Sequence, residues 1–432
     1  MVFRPSRFPP DNGEPDLPSD FSSCGEKKDP GLPTPPSNLV DLPPMVKAQT
    51  THYLDNAATT PMDPEVAELM AALLRDCYGN PSSLHSPGIR AKKKLDEARD
   101  LLLGMTGASQ LVFTGGGSEA TNLAMRGVLQ GKEGAAILAG QGDHPSVLKT
   151  GEALSQKGFR FKTYPVDNMG VPDLASFEAL LSKELRFVSI LQGNNEVGSL
   201  APLGEMIGLV REKAPRAHIH IDAVQAFAKI SLDLDRLGAD SMTLAAHKIH
   251  GPKGVGALAL GHRFPPQALI TGGGQEDGLR SGTENVPGIV AFAKAAELWI
   301  SRQSEESGRI RAWRDRLEAN LTKQVPELRR LGADLRLPNI LCMSLPGARG
   351  EVLMHHLEEE GIYISTGSAC SQRAEKRGKT GSHVLQAMGL DQKTIQGAIR
   401  ISLGRLTVEE DLIALEEALP KIITKLKTLG MA

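Results

Sequence analysis

The stretch "QLVFTGGGSEATNLAMRGVLQGKEGAAILA", residues 110–139, reads in succession as a short strand, a glycine turn, a helix and a second strand. The pattern continues downstream. "SVLKTGEALSQKG" has helical spacing and "FRFKTYPV" reads as a strand, followed by "DLASFEALLSK", "RFVSILQ", "LGEMIGLVREKA" and "AHIHID" in the same alternation. Upstream, "HSPGIRAKKKLDEARDLLLGMTG", residues 85–107, supplies a preceding helix from residue 86. Regular alternation of strand and helix predicts βαβ units, hence an α/β fold built on a mainly parallel sheet covered by helices. Ligands of such sheets bind beyond the carboxyl ends of the strands. After "VPGIVAFAKAAELWISRQ", a long helix, the pattern becomes mixed, with strands near 340–345 and 399–402 and helices near 351–360 and 408–428. This predicts a large domain over 66–300 and a smaller α+β domain from 51–65 and 301–432.

The remaining segment, residues 1–48, holds 11 of the 28 prolines and few residues able to build a core, and is expected to be a disordered tail. It carries more acids than bases, unlike a mitochondrial transit peptide. The chain as a whole has 432 residues and a formal net charge of −2, so nothing in its charge calls for nucleic acid or a membrane surface as partner. No apolar stretch approaches the ~20 residues that span a bilayer. Cysteines 24, 77, 342 and 370 lack the spacing of a zinc site or the density of a disulfide scaffold, which predicts no bound metal and a reducing, cytoplasmic location.

Three stretches carry chemistry. In "FTGGGSEATN", residues 113–122, glycines admit an anion close to the backbone and the following helix N-terminus adds partial positive charge. A phosphate cradle and a plain turn before a helix both fit, but the spacing matches neither the dinucleotide fingerprint nor the P-loop. In "HIHIDAVQAFAK", Asp222 ends an apolar strand, where it either caps the next helix or faces a cationic ring nitrogen. In "SMTLAAHKIHGPKGVGALAL", Lys248 stands between two apolar runs, where desolvation lowers an amine's pKa and frees it to form a Schiff base with an aldehyde. Phosphate cradle, strand-end acid and apolar lysine are together the fixtures of a pyridoxal phosphate site.

With "YLDNAATTP" (53–61), "YGNPSSLH" (78–85), "GDHPSV" (142–147), "GNNEVG" (193–198), "GGGQEDGLRSGTENV" (272–286), "STGSACS" (365–371) and "IRISLGR" (399–405), the sequence resembles the cysteine desulfurases of the NifS and IscS type from about residue 51 to 428. These are fold-type I, class V pyridoxal phosphate enzymes, so the resemblance implies a seven-stranded sheet in the large domain and L-cysteine as substrate. It implies Lys248 as the Schiff-base lysine, Asp222 as partner of the pyridine nitrogen, and Gln225 and Asn195 as contacts to the ring's phenolic oxygen and surroundings. His144 resembles the imidazole stacked on the ring. Gly117, Ser118 and His247 look like phosphate ligands, with Thr283 supplied across a homodimer interface, and Arg400 resembles the arginine that holds the substrate carboxylate.

Cys370 resembles the cysteine that attacks the substrate sulfur, becoming a persulfide and leaving L-alanine. The persulfide then passes to an acceptor protein, in iron–sulfur cluster assembly, tRNA thiolation or another pathway. Its neighbours Arg373, Lys376, Arg377 and Lys379 favour thiolate, and the Gly, Ser and Lys content of the segment predicts the mobility a sulfur carrier needs. Cys77 and Cys342 read as packing residues. Two positions depart from the family pattern: Ala245 stands where a serine near the phosphate is common, and His250 where an aromatic residue is often found. A selenocysteine lyase, or another pyridoxal phosphate lyase or aminotransferase, is the alternative activity.

Overall fold

The described course of the chain, in a computed structural model that covers residues 51–263, 266–366 and 381–430, starts with the two-residue strand β1 (His52–Tyr53). The next seven strands are β2 (Gln110–Thr114), β3 (Ala136–Gly140), β4 (Arg160–Tyr164), β5 (Leu185–Leu191), β6 (His218–Asp222), β7 (Ser241–Ala245) and β8 (Gly256–Leu260). They form one sheet in the order β2-β8-β7-β6-β5-β3-β4. Every pairing from β7 across to β4 is parallel, whereas β8 runs antiparallel to both β7 and β2. The expected mainly parallel seven-stranded sheet is therefore present.

Period-two alternation sends successive side chains to opposite faces. Along β2, Leu111 and Phe113 join one core cluster while Val112 joins another, the second built with Ala120, Leu123 and Ala124 of the helix Gly117–Leu129. Both faces are thus covered, which explains why every residue of β6, β7 and β8 is buried.

The later strands are β9 (Arg329–Leu331), β10 (Ile340–Ser344), β11 (Ile362–Tyr363), β12 (Ser365–Thr366) and β13 (Ala398–Ser402). An antiparallel sheet takes the order β12-β13-β10-β9, and β11 pairs in parallel with β1. Asp55 bridges Ser402, so the segment after β1 runs beside the end of β13. The helices Gly350–Glu359 and Glu409–Thr428 accompany this sheet, close to their expected limits.

Two long helices were not anticipated, Pro64–Asp76 and Gln303–Gln324. The first carries readable signals: the Asp63 carboxylate accepts from the Glu65 amide, and Pro64 opens the helix. The proline-rich tail and residues 367–380, with Cys370, lie outside the described residues. Among the described residues no helix is long and apolar enough to cross a membrane.

Candidate active site

The carboxyl ends of β2, β3, β5, β6 and β7 open on one cavity of about 310 Å³. Its walls bring together Gly117, Ser118, His144, Asn195, Asp222, Gln225, His247, Lys248 and Arg400, residues spread over 284 positions of sequence (117 to 400, both included). Thr283 is not among them. It lines a separate cavity of about 140 Å³ with Gly115, Gly254 and Arg280.

The glycine turn after β2 has a backbone reason. Gly116 sits at φ 151°, which only glycine adopts readily, and a Cβ on Gly117 would lie 3.0 Å from Val224. The helix Gly117–Leu129 begins with no side-chain cap, leaving its first amides toward the cavity without an internal carboxylate or hydroxyl partner at the cap. Beside it the His247 Nδ1 lies 3.2 Å from the Thr59 hydroxyl. Burial, with Lys248 next, pushes the His247 imidazole down to about 4, so it is neutral at pH 7.

Asp222 closes β6 as expected from sequence, but it caps no helix: turns follow it, and the next helix, Leu234–Leu237, is capped by Asp233. Its Oδ1 accepts from the Val224 amide at 3.1 Å, a local turn bond, and the residue also faces the cavity. Burial raises its carboxyl above the usual range, with His144, the Val224 amide and Lys248 pulling the other way. A cation seated against it would favour the carboxylate form.

His144 sits between β3 and the helix Pro145–Ser155. Its Nδ1 accepts from the Ser146 amide at 3.1 Å and lies 2.9 Å from the Ser146 hydroxyl, which places the ring proton of the neutral form on Nε2. Burial holds this imidazole below its ordinary pKa.

Lys248 ends a single 3₁₀ turn, Ala246–Lys248, that follows β7 directly. Its Nζ donates to the carbonyls of Ala57 and Ala58, each at 2.7 Å, so the segment after β1 fixes the amine. The Gln225 Nε2 donates to the same Ala57 carbonyl at 2.8 Å.

Arg400, in the middle of β13, donates from Nη1 to the Asn195 carbonyl at 2.8 Å and from Nη2 to the Asp55 carboxylate at 2.7 Å. Its buried Nε has no hydrogen-bond partner among the described residues. Two cavity acids were quoted in motifs but given no role, Asp55 and Glu196. Burial raises both, Glu196 to about 7, and neither the Ser382 hydroxyl that donates to Glu196 nor the Arg400 beside Asp55 cancels it.

Residues 52–415 match the class-V aminotransferase family. The chain belongs to that family. Among the relatives of this class-V chain is Cysteine desulfurase IscS 1 of Archaeoglobus fulgidus, 38% identical over 384 residues, spanning 88% of this chain and 98% of the relative. A solved NifS-like protein superposes with a TM-score of 0.81 at 37% identity, covering 87% of this chain and 100% of its own. The solved structure described as SspA in complex with cysteine gives a TM-score of 0.71 at 29% identity, over 83% of this chain and 100% of that one.

As a class-V enzyme the protein is dependent on pyridoxal phosphate. The residues present fit that cofactor. An uncapped helix N-terminus suits a phosphate, Asp222 suits a protonated ring nitrogen, and Lys248 lines the same cavity as both. Among the described residues the buried Gln225 Oε1 lacks a partner, leaving a polar atom for a ligand to satisfy. Ala245 presents a methyl group to the same wall.

Proposed function

We propose that this class-V enzyme is an L-cysteine desulfurase, which cleaves the C–S bond of L-cysteine and leaves L-alanine. The observation that carries the reading is the single cavity in which Lys248, Asp222, His144 and Arg400 meet. The relatives named as cysteine desulfurases support it.

Lys248 would hold the cofactor covalently, Gly117, Ser118 and His247 its phosphate, Asp222 its ring nitrogen, and Gln225 its phenolic oxygen. Bound there, pyridoxal phosphate supplies an electron sink for the bonds around the substrate Cα. His144, in the same cavity wall, would lie against the ring, with its Nε2 proton available to the reacting groups. Arg400 and Asn195, both in the cavity wall, orient the substrate, the Arg400 guanidinium through the α-carboxylate. Cys370 is the sulfur acceptor: its thiolate forms an S–S bond to the substrate sulfur as the C–S bond breaks, the electron pair of that bond stays on the substrate carbon, and the carbon takes up one proton, so that L-cysteine and the Cys370 thiol give L-alanine and the Cys370 persulfide with no net gain or loss of protons. The resulting persulfide is delivered to an acceptor protein such as an iron–sulfur scaffold. The enzyme acts as a cytoplasmic homodimer, with Thr283 contributed to the partner's phosphate site.

Purified holoenzyme given L-cysteine and a thiol reductant is expected to release alanine and sulfide in equal amounts. Cys370→Ala is expected to lose sulfide release by two orders of magnitude or more while keeping the visible cofactor band, in keeping with loss of an essential nucleophile, about 10²-fold or greater. A yellow protein inert to L-cysteine but active on selenocysteine moves the substrate to selenium.

A further inference from the structure

A chain of five buried polar side chains leads away from the cavity, and the proposed chemistry gives it no part. Period two puts His218 and His220 on the face of β6 that ends in Asp222, and Ser241 and Thr243 on one face of β7, with His220 opposite Ser241 in the register. The Ser241 hydroxyl lies 2.7 Å from both His218 Nε2 and His220 Nδ1. The Thr243 hydroxyl lies 3.1 Å from His220 Nε2 and 3.3 Å from the Thr121 hydroxyl. Thr121 belongs to the helix Gly117–Leu129 and lines the cavity, whereas Thr243 is not part of its wall.

None of the five is more than 1% exposed, so each depends on partners inside the protein. Apolar packing alone would hold the helix on the sheet without that desolvation, as Val112, Ala120, Leu123, Ala124 and Phe187 do close by. What hydrogen bonds add is direction. Burial holds both imidazoles neutral, pushing His220 down to about 3. A neutral ring has one N–H and one lone pair, so whichever nitrogen of His220 carries the proton, the Ser241 and Thr243 hydroxyls take opposite roles. The satisfied chain then runs one way along its whole length. With its hydroxyl held by His220 and Thr121, Thr243 turns its methyl group to the helix start, 3.5 Å from a Cβ built on Gly117. Thr121 stands about one turn beyond Gly117, so the part of the helix that the chain fixes is its uncapped first turn.

We propose that Thr243 is a positioning residue of the phosphate site: its hydroxyl, oriented by His220, ties Thr121 to the sheet and sets the place of the helix N-terminus. This role rests on the phosphate placement given above, at Gly117 and Ser118.

The test compares pyridoxal phosphate with pyridoxal, which lacks only the phosphate, by fluorescence titration of full-length apoprotein prepared from the holoenzyme. In the isosteric Thr243→Val variant, pyridoxal phosphate is expected to bind about five- to tenfold more weakly, and pyridoxal to change by less than about twofold. Thr243→Ser, which keeps the hydroxyl, is expected to restore the wild-type ratio of the two affinities. If Thr243 only stabilises the fold, both ligands weaken by the same factor in Thr243→Val, and the proposal is overturned. Unchanged affinities for both overturn it equally. Should Thr243→Val not fold, Thr243→Ala leaves room for a water at His220 Nε2, and the same ratio decides. Wild-type protein that binds pyridoxal as tightly as pyridoxal phosphate overturns the phosphate placement itself, and the role of Thr243 with it.

Discussion

At the scale of single residues, the site shows which roles a spacing pattern can carry. Lys248 and Asp222 announce themselves because a charged side chain at the end of an apolar run needs a partner. The cavity brings them together with the glycine turn as expected. Asp55 and Glu196 stayed without a role because their partners, Arg400 and Ser382, are 345 and 186 positions away, and only the fold supplies such neighbours. The departure at Ala245 now has a physical consequence. Its methyl group faces the wall that Gly117 and the uncapped helix also line, with 3.7 Å between its Cβ and a Cβ built on Gly117. A hydroxyl there meets the phosphate side of the cavity. Ala245→Ser is therefore expected to tighten pyridoxal phosphate binding to the apoprotein about fivefold, since one added hydrogen bond to an anion is worth about 1 kcal/mol or more. Fluorescence titration of apoprotein with the cofactor measures it; unchanged or weaker binding refutes that hydroxyl placement.

At the scale of elements, His250 explains how the Lys248 turn is locked. Its amide donates to the Thr60 hydroxyl at 2.7 Å, its carbonyl accepts from the Asp63 amide at 3.0 Å, and its ring bonds the same segment to the end of β13. The Nδ1 proton goes to the Pro61 carbonyl at 2.8 Å, while Nε2 accepts from the Arg405 amide at 3.0 Å. The ring also stacks on Trp299, centroids 6.3 Å apart. One side chain at φ 65° thus ties the segment after β1, the turn after β7 and the end of β13. Sequence pattern flagged the position without a consequence, because the bonds run to two distant segments. The helix Pro64–Asp76 was different, with its cap and proline in plain view. Burial pushes the His250 imidazole down to about 4 against about 6.5 unfolded, so its contribution is complete above pH 6.5 and lost as pH falls toward 4. Protonation turns Nε2 into a donor facing the Arg405 N–H. His250→Gln is expected to destabilise the protein by about 1–3 kcal/mol at pH 7. The gap to wild type should narrow by roughly 1–2 kcal/mol at pH 5, because the variant has no proton to take up there. Urea denaturation at both pH values checks this, and a gap that widens at pH 5 contradicts it.

At the scale of the whole molecule, the α/β class and the parallel sheet followed from alternation of strand and helix alone. The direction of β8 did not, since the run "GALAL" is apolar throughout and reads the same in a parallel or an antiparallel strand. Thr283, expected at the phosphate, lines a smaller cavity of its own with Gly115 and Gly254. Apolar side chains also stand out from the surface between the helices Pro64–Asp76 and Ser86–Thr106, with Tyr78 75% and Leu84 93% exposed. Both facts suit a homodimer in which each Thr283 serves the partner's phosphate site. Subunit mixing tests that arrangement with cofactor stoichiometry as the readout. Lys248→Ala protomers cannot hold the cofactor covalently, and Thr283→Ala protomers are expected to bind it about three- to tenfold more weakly, the cost of one lost hydrogen bond of about 1 kcal/mol. If Thr283 acts across the interface, a mixed dimer pairs the intact Lys248 of one protomer with the intact Thr283 of the other, and one site per dimer regains wild-type affinity. If it acts within its own chain, every site with an intact lysine also carries the Thr283 defect, and mixing restores nothing.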